Sequence, residues 1–239
     1  MNNIPPSPNP FAKETDGFFA RHFDRRLSGA ISRYLLKTPV TPNQITVGVT
    51  LLGVVAGYFM AQIGYTAKVI GSALFLLTSI LDGCDGEVAR AKKMTSKLGG
   101  WLDLWGDNVV HVAVFYGVGL GLFRDSNHPI YLLLGKAAVI GTILSASLAS
   151  YQTYRKTRNR TIQPEKGFFT SVAGDEAAVR SVPAWEKRLV AVSDALARRD
   201  FVYGVLFLAL IAHLEWFLWP CAVGVNVYAA VLLLLIIVS

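Results

Sequence analysis

The chain has 239 residues, 53% of them hydrophobic, and a mean hydropathy of +0.43. That is long enough for one domain of helices and too apolar for an ordinary soluble globule. The formal charge of +7 comes without a basic stripe interleaved with aromatic residues, which sets nucleic acid aside and favours positive loops against anionic lipid.

Residues 1–17 are rich in Pro and Asn, lack the apolar core of a signal peptide, and read as a flexible tail. In residues 18–37, Phe19, Phe23, Leu27, Ile31 and Leu35 recur every four residues, with Arg21, Arg25, Arg26 and Arg33 between them. This spacing predicts an amphipathic helix lying on the membrane surface; a surface helix of a soluble domain is the plainer reading. The run Thr38-Pro39-Val40-Thr41-Pro42-Asn43 breaks that helix and starts another, with Thr41 as cap and Pro42 in the first position. Residues 38–239 then read as a membrane domain of six spans, near 45–63, 68–86, 101–123, 130–151, 201–218 and 221–238. Each is close to the ~20 residues that cross a bilayer. Cys84 and Cys221 fall inside predicted spans, which argues against a disulfide framework. The fold class expected is therefore an all-α integral membrane protein, six transmembrane helices preceded by an amphipathic interfacial helix.

Six spans put both termini on one side. Twenty of the 23 Lys and Arg residues fall before residue 38, within 90–97, or within 152–200; the exceptions are Lys68, Arg124 and Lys136. Positive loops stay inside, so both termini and the insert 152–200 are expected to be cytoplasmic. The basic patch from Tyr154 to Arg160 reads mainly as a topology anchor. Arg155 and Arg199, near predicted span ends, could instead hold an acceptor's phosphate bidentately. His213, Glu215, Trp216 and Trp219 fall toward the opposite interface, where the tryptophans suit an aromatic belt.

The chemistry concentrates in residues 81–108. Asp82 and Asp85 stand at i and i+3, and Asp103 and Asp107 at i and i+4, so each pair shares a helix face. Between them lie the charged run of residues 90–97, expected as a loop, and Gly99-Gly100, expected as a break. A carboxylate within a span costs ~2.5–3.5 kcal/mol on insertion scales, and four together repel. Salt bridges to Arg90 and to Lys92 or Lys93 would neutralise part of that charge. They leave two same-face pairs unexplained, whereas one or two hard divalent cations, Mg²⁺ or Mn²⁺, account for them. Two such ions can clamp a diphosphate, and one carboxylate can take a proton from an acceptor hydroxyl.

The spacing Asp82-x2-Asp85-Gly86-x2-Ala89-Arg90-x8-Gly99-x3-Asp103-x3-Asp107 resembles the signature of the CDP-alcohol phosphotransferases, with all eight fixed positions present. The resemblance implies that the four aspartates bind metal and that Asp107 is also the general base. It implies that Gly86 and Arg90 contact the CDP moiety, with Ser96 joining them from the loop and Asn43 and Thr46 approaching the cytidine. It also implies a homodimer. The reaction implied transfers a phospho-alcohol or phosphatidyl group to an acceptor hydroxyl and releases CMP, in phospholipid biosynthesis. The text around Asp85–Gly99 also looks like the synthases that join CDP-inositol to inositol phosphate, which usually carry a fused cytidylyltransferase domain. Asn108 stands where inositol-phosphate-accepting members commonly have arginine. His111, one turn beyond Asp107, either tunes that carboxylate or packs between helices. A cation transporter with a carboxylate ion site is the alternative of another class. The visible features against it are an acidic site near one membrane edge and no internal repeat.

Overall fold

The computed structural model describes residues 25–159 and 201–238, all helix and connecting turns with no strand among them. The expected tail, the first part of the interfacial helix, and most of the insert, Arg199 included, lie outside the described residues. The elements are α1 (Arg25–Leu35), α2 (Pro42–Met60), α3 (Tyr65–Ala91), α4 (Lys97–Ser126), α5 (Pro129–Asn159), α6 (Phe201–Leu210) and α7 (Glu215–Val238). Five of these, α2, α3, α4, α5 and α7, are long and apolar enough to cross a membrane; α6 is apolar but shorter.

α2 begins where its sequence says it should. Thr41 accepts from the Gln44 amide at 3.4 Å, the Gln44 side chain accepts from the Thr41 amide at 2.9 Å, and Pro42 needs no partner in the first turn. α2 then packs along both α3 and α4, whereas α3 and α4 barely touch each other. Absent side chains make this approach possible. A Cβ on Gly117 of α4 would lie 2.2 Å from the Gly57 carbonyl oxygen of α2, and one on Gly121 would lie 2.0 Å from that of Met60. Without a hydrophobic force between helices in lipid, such close backbone packing is what holds them. α2 is thus the spacer that sets α3 against α4.

α1 lies against α3 and buries a small polar face of Ser28, Gly29 and Ser32 there. Its Ile31 and Leu35 pack on a small core of Ile45, Val49, Cys84 and Val88. The larger core fills the bundle centre around Phe75, Phe115, Phe201 and Phe217, with the Phe201 and Phe217 rings stacked at 6.0 Å.

Three sequence boundaries need correction. The fifth span was expected to reach residue 218. Instead α6 stops at Leu210, where Ala212 turns left-handed (φ 59°) and the His213 amide donates to the Leu208 carbonyl at 2.8 Å, a Schellman-type end. The break is therefore not at Pro220, which is carried inside α7. Gly99 and Gly100 do not break the acidic segment either: both lie in the first turn of α4. Arg90, expected in the loop, belongs to the last turn of α3, and the connection is residues 92–96.

Candidate active site

α3 runs unbroken through Asp82 and Asp85 and ends at Ala91. Its carbonyls are closed by Lys93 in the left-handed region (φ 54°), with the Met94 amide donating to the Ala89 carbonyl at 2.8 Å. The Lys92 ammonium donates to the Thr38 and Val40 carbonyls, both at 2.8 Å, and ties this turn to the entry of α2. Two of its three donors are thereby committed, which weakens the salt-bridge reading for Lys92. Ser96 caps α4 by accepting from the Gly99 amide at 3.0 Å. The chain thus reverses within five residues, and the C-terminal turns of α3 come beside the N-terminal turns of α4.

Three of the four aspartates meet. Asp82, Asp103 and Asp107 each offer one carboxylate oxygen, all within 4.8 Å of one another, and all three residues are partly exposed. Two ligands across a Mg²⁺-sized ion stand about 4.2 Å apart at most, twice the ~2.1 Å bond. Closing the difference takes only small side-chain rotations, so the hard oxygen set fits a divalent ion. Asp85 stands outside this group and is buried. It accepts from the buried Thr46 hydroxyl of α2 and from the Gly86 amide.

The residues expected at the nucleotide fall into three places around the carboxylates. At Gly86 a Cβ would sit 3.2 Å from an Arg90 guanidinium nitrogen, so the missing side chain gives Arg90 its position. At Gly99 a Cβ would sit 3.2 Å from both the Asn43 Oδ1 and the Ser96 Oγ, so Asn43, Ser96 and Gly99 form one cluster where α2 and α4 begin. Thr46 is turned to Asp85. Two helix N-termini meeting here also supply amide groups and partial positive charge suited to an anion.

The His111 ring packs among Phe75, Phe115 and Phe201, with centroids 5.5–6.1 Å apart. Asn108 bonds back to the Leu104 carbonyl at 2.6 Å. Arg155 lies on the C-terminal part of α5. His213 and Glu215 bond to each other at 2.9 Å at the opposite end of the bundle. Sequence reasoning missed Glu87. It is buried and accepts from the Ser28 hydroxyl at 2.9 Å, which docks α1 on the helix that carries Asp82 and Asp85. The available signal was an acidic residue inside the motif but off the face shared by the aspartates.

These features define a multi-pass membrane protein with a hard-oxygen carboxylate cluster at one rim of its helix bundle. Residues 39–174, more than half of the chain, match the family model for CDP-alcohol phosphatidyltransferase, and the chain belongs to that family. Among curated relatives, a bifunctional IPC transferase and DIPP synthase of Thermococcus kodakarensis is 38% identical over 140 residues, 59% of this chain and 30% of the relative. An archaetidylinositol phosphate synthase of Pyrococcus horikoshii is 30% identical over 124 residues, 52% of this chain and 64% of the relative. The chain therefore matches about a third of the first and less than two thirds of the second. Among solved structures, the phosphatidylinositol phosphate synthase of Mycobacterium tuberculosis with CDP-DAG bound shares the fold. Its TM-score is 0.55 at 17% identity, over 86% of this chain and 90% of that one. The same protein in complex with manganese and citrate gives 0.53 at 17%, over 85% of each.

Proposed function

We propose that this chain is a divalent-metal-dependent enzyme that transfers a phosphatidyl or phospho-alcohol group from a CDP-alcohol to an acceptor hydroxyl and releases CMP. The observation that carries the reading is the convergence of Asp82, Asp103 and Asp107 from two helices that otherwise barely touch. One or two Mg²⁺ or Mn²⁺ ions held there, with Asp85 as the fourth carboxylate, would neutralise the diphosphate and the charge that develops on the leaving CMP. Gly86 and Arg90 hold the nucleotide, with Asn43 and Ser96 beside it. Asp107 takes the acceptor's proton as the acceptor oxygen bonds to phosphorus and the bond to the CMP oxygen breaks. Arg155 and Arg199 are the candidates for an acceptor's phosphate. The site faces the cytosol, where a soluble nucleotide is supplied, and the chain pairs as a homodimer.

The curated relatives support a narrower second reading, in which the donor is soluble CDP-inositol and the acceptor inositol phosphate. A bifunctional IPC transferase and DIPP synthase is among them, whereas the archaetidylinositol phosphate synthase, whose name makes the transferred group a lipid, sides with a lipid donor. The transporter alternative loses ground. Intramembrane ion sites of that kind are built on discontinuous helices, and α3 and α4 run unbroken through their aspartates.

The test is CMP release by purified protein given CDP-diacylglycerol or CDP-inositol, each with a panel of polyol and polyol-phosphate acceptors, with and without divalent metal. Metal-dependent CMP release with one donor class is expected. Cation flux in proteoliposomes that needs no CDP compound, with no CMP from any pair, would reject the reading.

A further inference from the structure

The connection of residues 92–96 holds the entry of α2 at both of its ends. At its start, Lys92 caps α3 and its amide donates to the Val88 carbonyl at 2.8 Å. The root of this side chain is thereby fixed to the helix that carries Gly86 and Arg90. Its half-buried ammonium crosses to the linker before α2 and donates to the Thr38 and Val40 carbonyls, both at 2.8 Å. These are charge-assisted bonds, roughly twice as strong as neutral ones. The linker is poor in donors of its own, since Pro39 and Pro42 have no N–H. Thr38 folds it further: its hydroxyl donates to the Leu35 carbonyl at 2.7 Å and accepts from the Val40 amide at 3.4 Å. The reciprocal cap of Thr41 and Gln44 follows directly and encloses Asn43. At its other end the connection closes with Ser96, whose Oγ lies with the Asn43 Oδ1 over Gly99. Farther along α2, contact with α4 is set at Gly57, Gly117 and Gly121. The Lys92 clasp therefore acts on the first turn of α2 and not on the helix as a whole.

We infer that Lys92 is a positioning residue for nucleotide binding: by clasping the entry of α2 to the end of α3, it fixes Asn43 on one side of the nucleotide against Gly86 and Arg90 on the other. The inference deepens the proposed function and rests on it. Lys92 acts through Asn43 and does not itself touch the nucleotide. Its loss leaves the glycine contacts of α2 in place and loosens one wall of the site, so binding suffers and the chemical step does not. Removing ground-state binding in this way raises KM with kcat unchanged.

The test compares Lys92→Met, which keeps the stem and removes the donors, with Lys92→Arg, whose guanidinium fork can serve two acceptors. Lys92→Gln, with a shorter neutral donor, carries the same comparison should Lys92→Met not fold. The far-rim variant Lys68→Met is the control for loss of a lysine tie. CMP release is followed over a range of CDP donor, and binding of CMP and of cytidine is measured on the full chain in detergent with Mg²⁺. Lys92→Met should raise the donor KM about tenfold, within the ~10²-fold that a misplaced binding group can cost, with kcat at saturating donor little changed. CMP and cytidine should weaken by the same factor, Lys92→Arg should recover most of the loss, and Lys68→Met should show none of it. In an Asn43→Ala background, Lys92→Met should add little, because the two changes remove one effect. Weaker CMP with unchanged cytidine would overturn the inference and make Lys92 a phosphate contact. A lower Tm with unchanged KM, no recovery with arginine, or full additivity with Asn43→Ala would also overturn it. Wild-type protein that binds neither CMP nor cytidine and releases no CMP would remove the proposed function itself, a result distinct from all of these.

Discussion

Asp107 and Gly86 show how single residues divide the work. In the proposed mechanism Asp107 is both ligand and base, and it sits partly exposed at the cluster. Asp107→Asn keeps size and shape and removes the base, so CMP release should fall by at least ~10²-fold, with Tm on a melting curve held within a few degrees. Wild-type turnover in that variant would move the base elsewhere. Gly86 makes room for Arg90. Alanine there would put a methyl 3.2 Å from the guanidinium, and a flexible side chain gives way to it. Gly86→Ala should therefore raise the KM for the CDP donor several-fold with little change in Tm; a large stability loss with unchanged KM would make Gly86 a packing residue. The shared face of each aspartate pair was legible, because spacing along a helix is local and follows from 3.6 residues per turn. The separate place of Asp85 was not legible. It depends on Thr46, 39 residues away on another helix.

At the level of elements, α2 does what the spacing of α3 and α4 cannot do alone. Gly121 of α4 meets the Met60 carbonyl so closely that any side chain must part the helices. Gly121→Val should cost ~3 kcal/mol, the upper end for overpacking, because backbone rather than a yielding side chain is struck. Activity should fall with it, although residue 121 lies several turns from the carboxylates. Retained activity after a measured loss of thermal stability would show that α2 does not set the site. Lys68 and Asp125, paired at the opposite end of the bundle, offer the contrast. Lys68→Met should lower Tm and leave the KM for donor and metal unchanged, since the pair belongs to the far rim. Helix ends were the least legible elements. Pro220 and Gly99-Gly100 look like breaks in a string of letters, but the proline lies inside α7, and the glycines lie in the first turn of α4 behind a serine cap.

For the whole molecule, the decisive property is that its carboxylates gather at one rim, next to the loop of residues 92–96 with its lysines. Chelation with EDTA should abolish CMP release, and Mg²⁺ or Mn²⁺ should restore it; a chelator-resistant reaction would exclude metal chemistry. The proposed cytosolic orientation can be tested at the same rim. Met94 in that loop is exposed, so Met94→Cys in a background with Cys84 and Cys221 replaced should react with an impermeant maleimide only when the cytosolic face is open. Labelling from outside would invert the topology.

Hydropathy, charge distribution and aspartate spacing by themselves determined a helical membrane protein with acidic residues gathered toward one rim, because burial in lipid and helical periodicity act over a few turns of chain. The tertiary structure alone decided which carboxylates come together, that α3 and α4 are set apart by α2, and that a buried threonine and a buried glutamate tie α3 to α2 and α1. Those outcomes depend on how closely backbones approach where side chains are missing, and such distances are set only when all the helices pack at once.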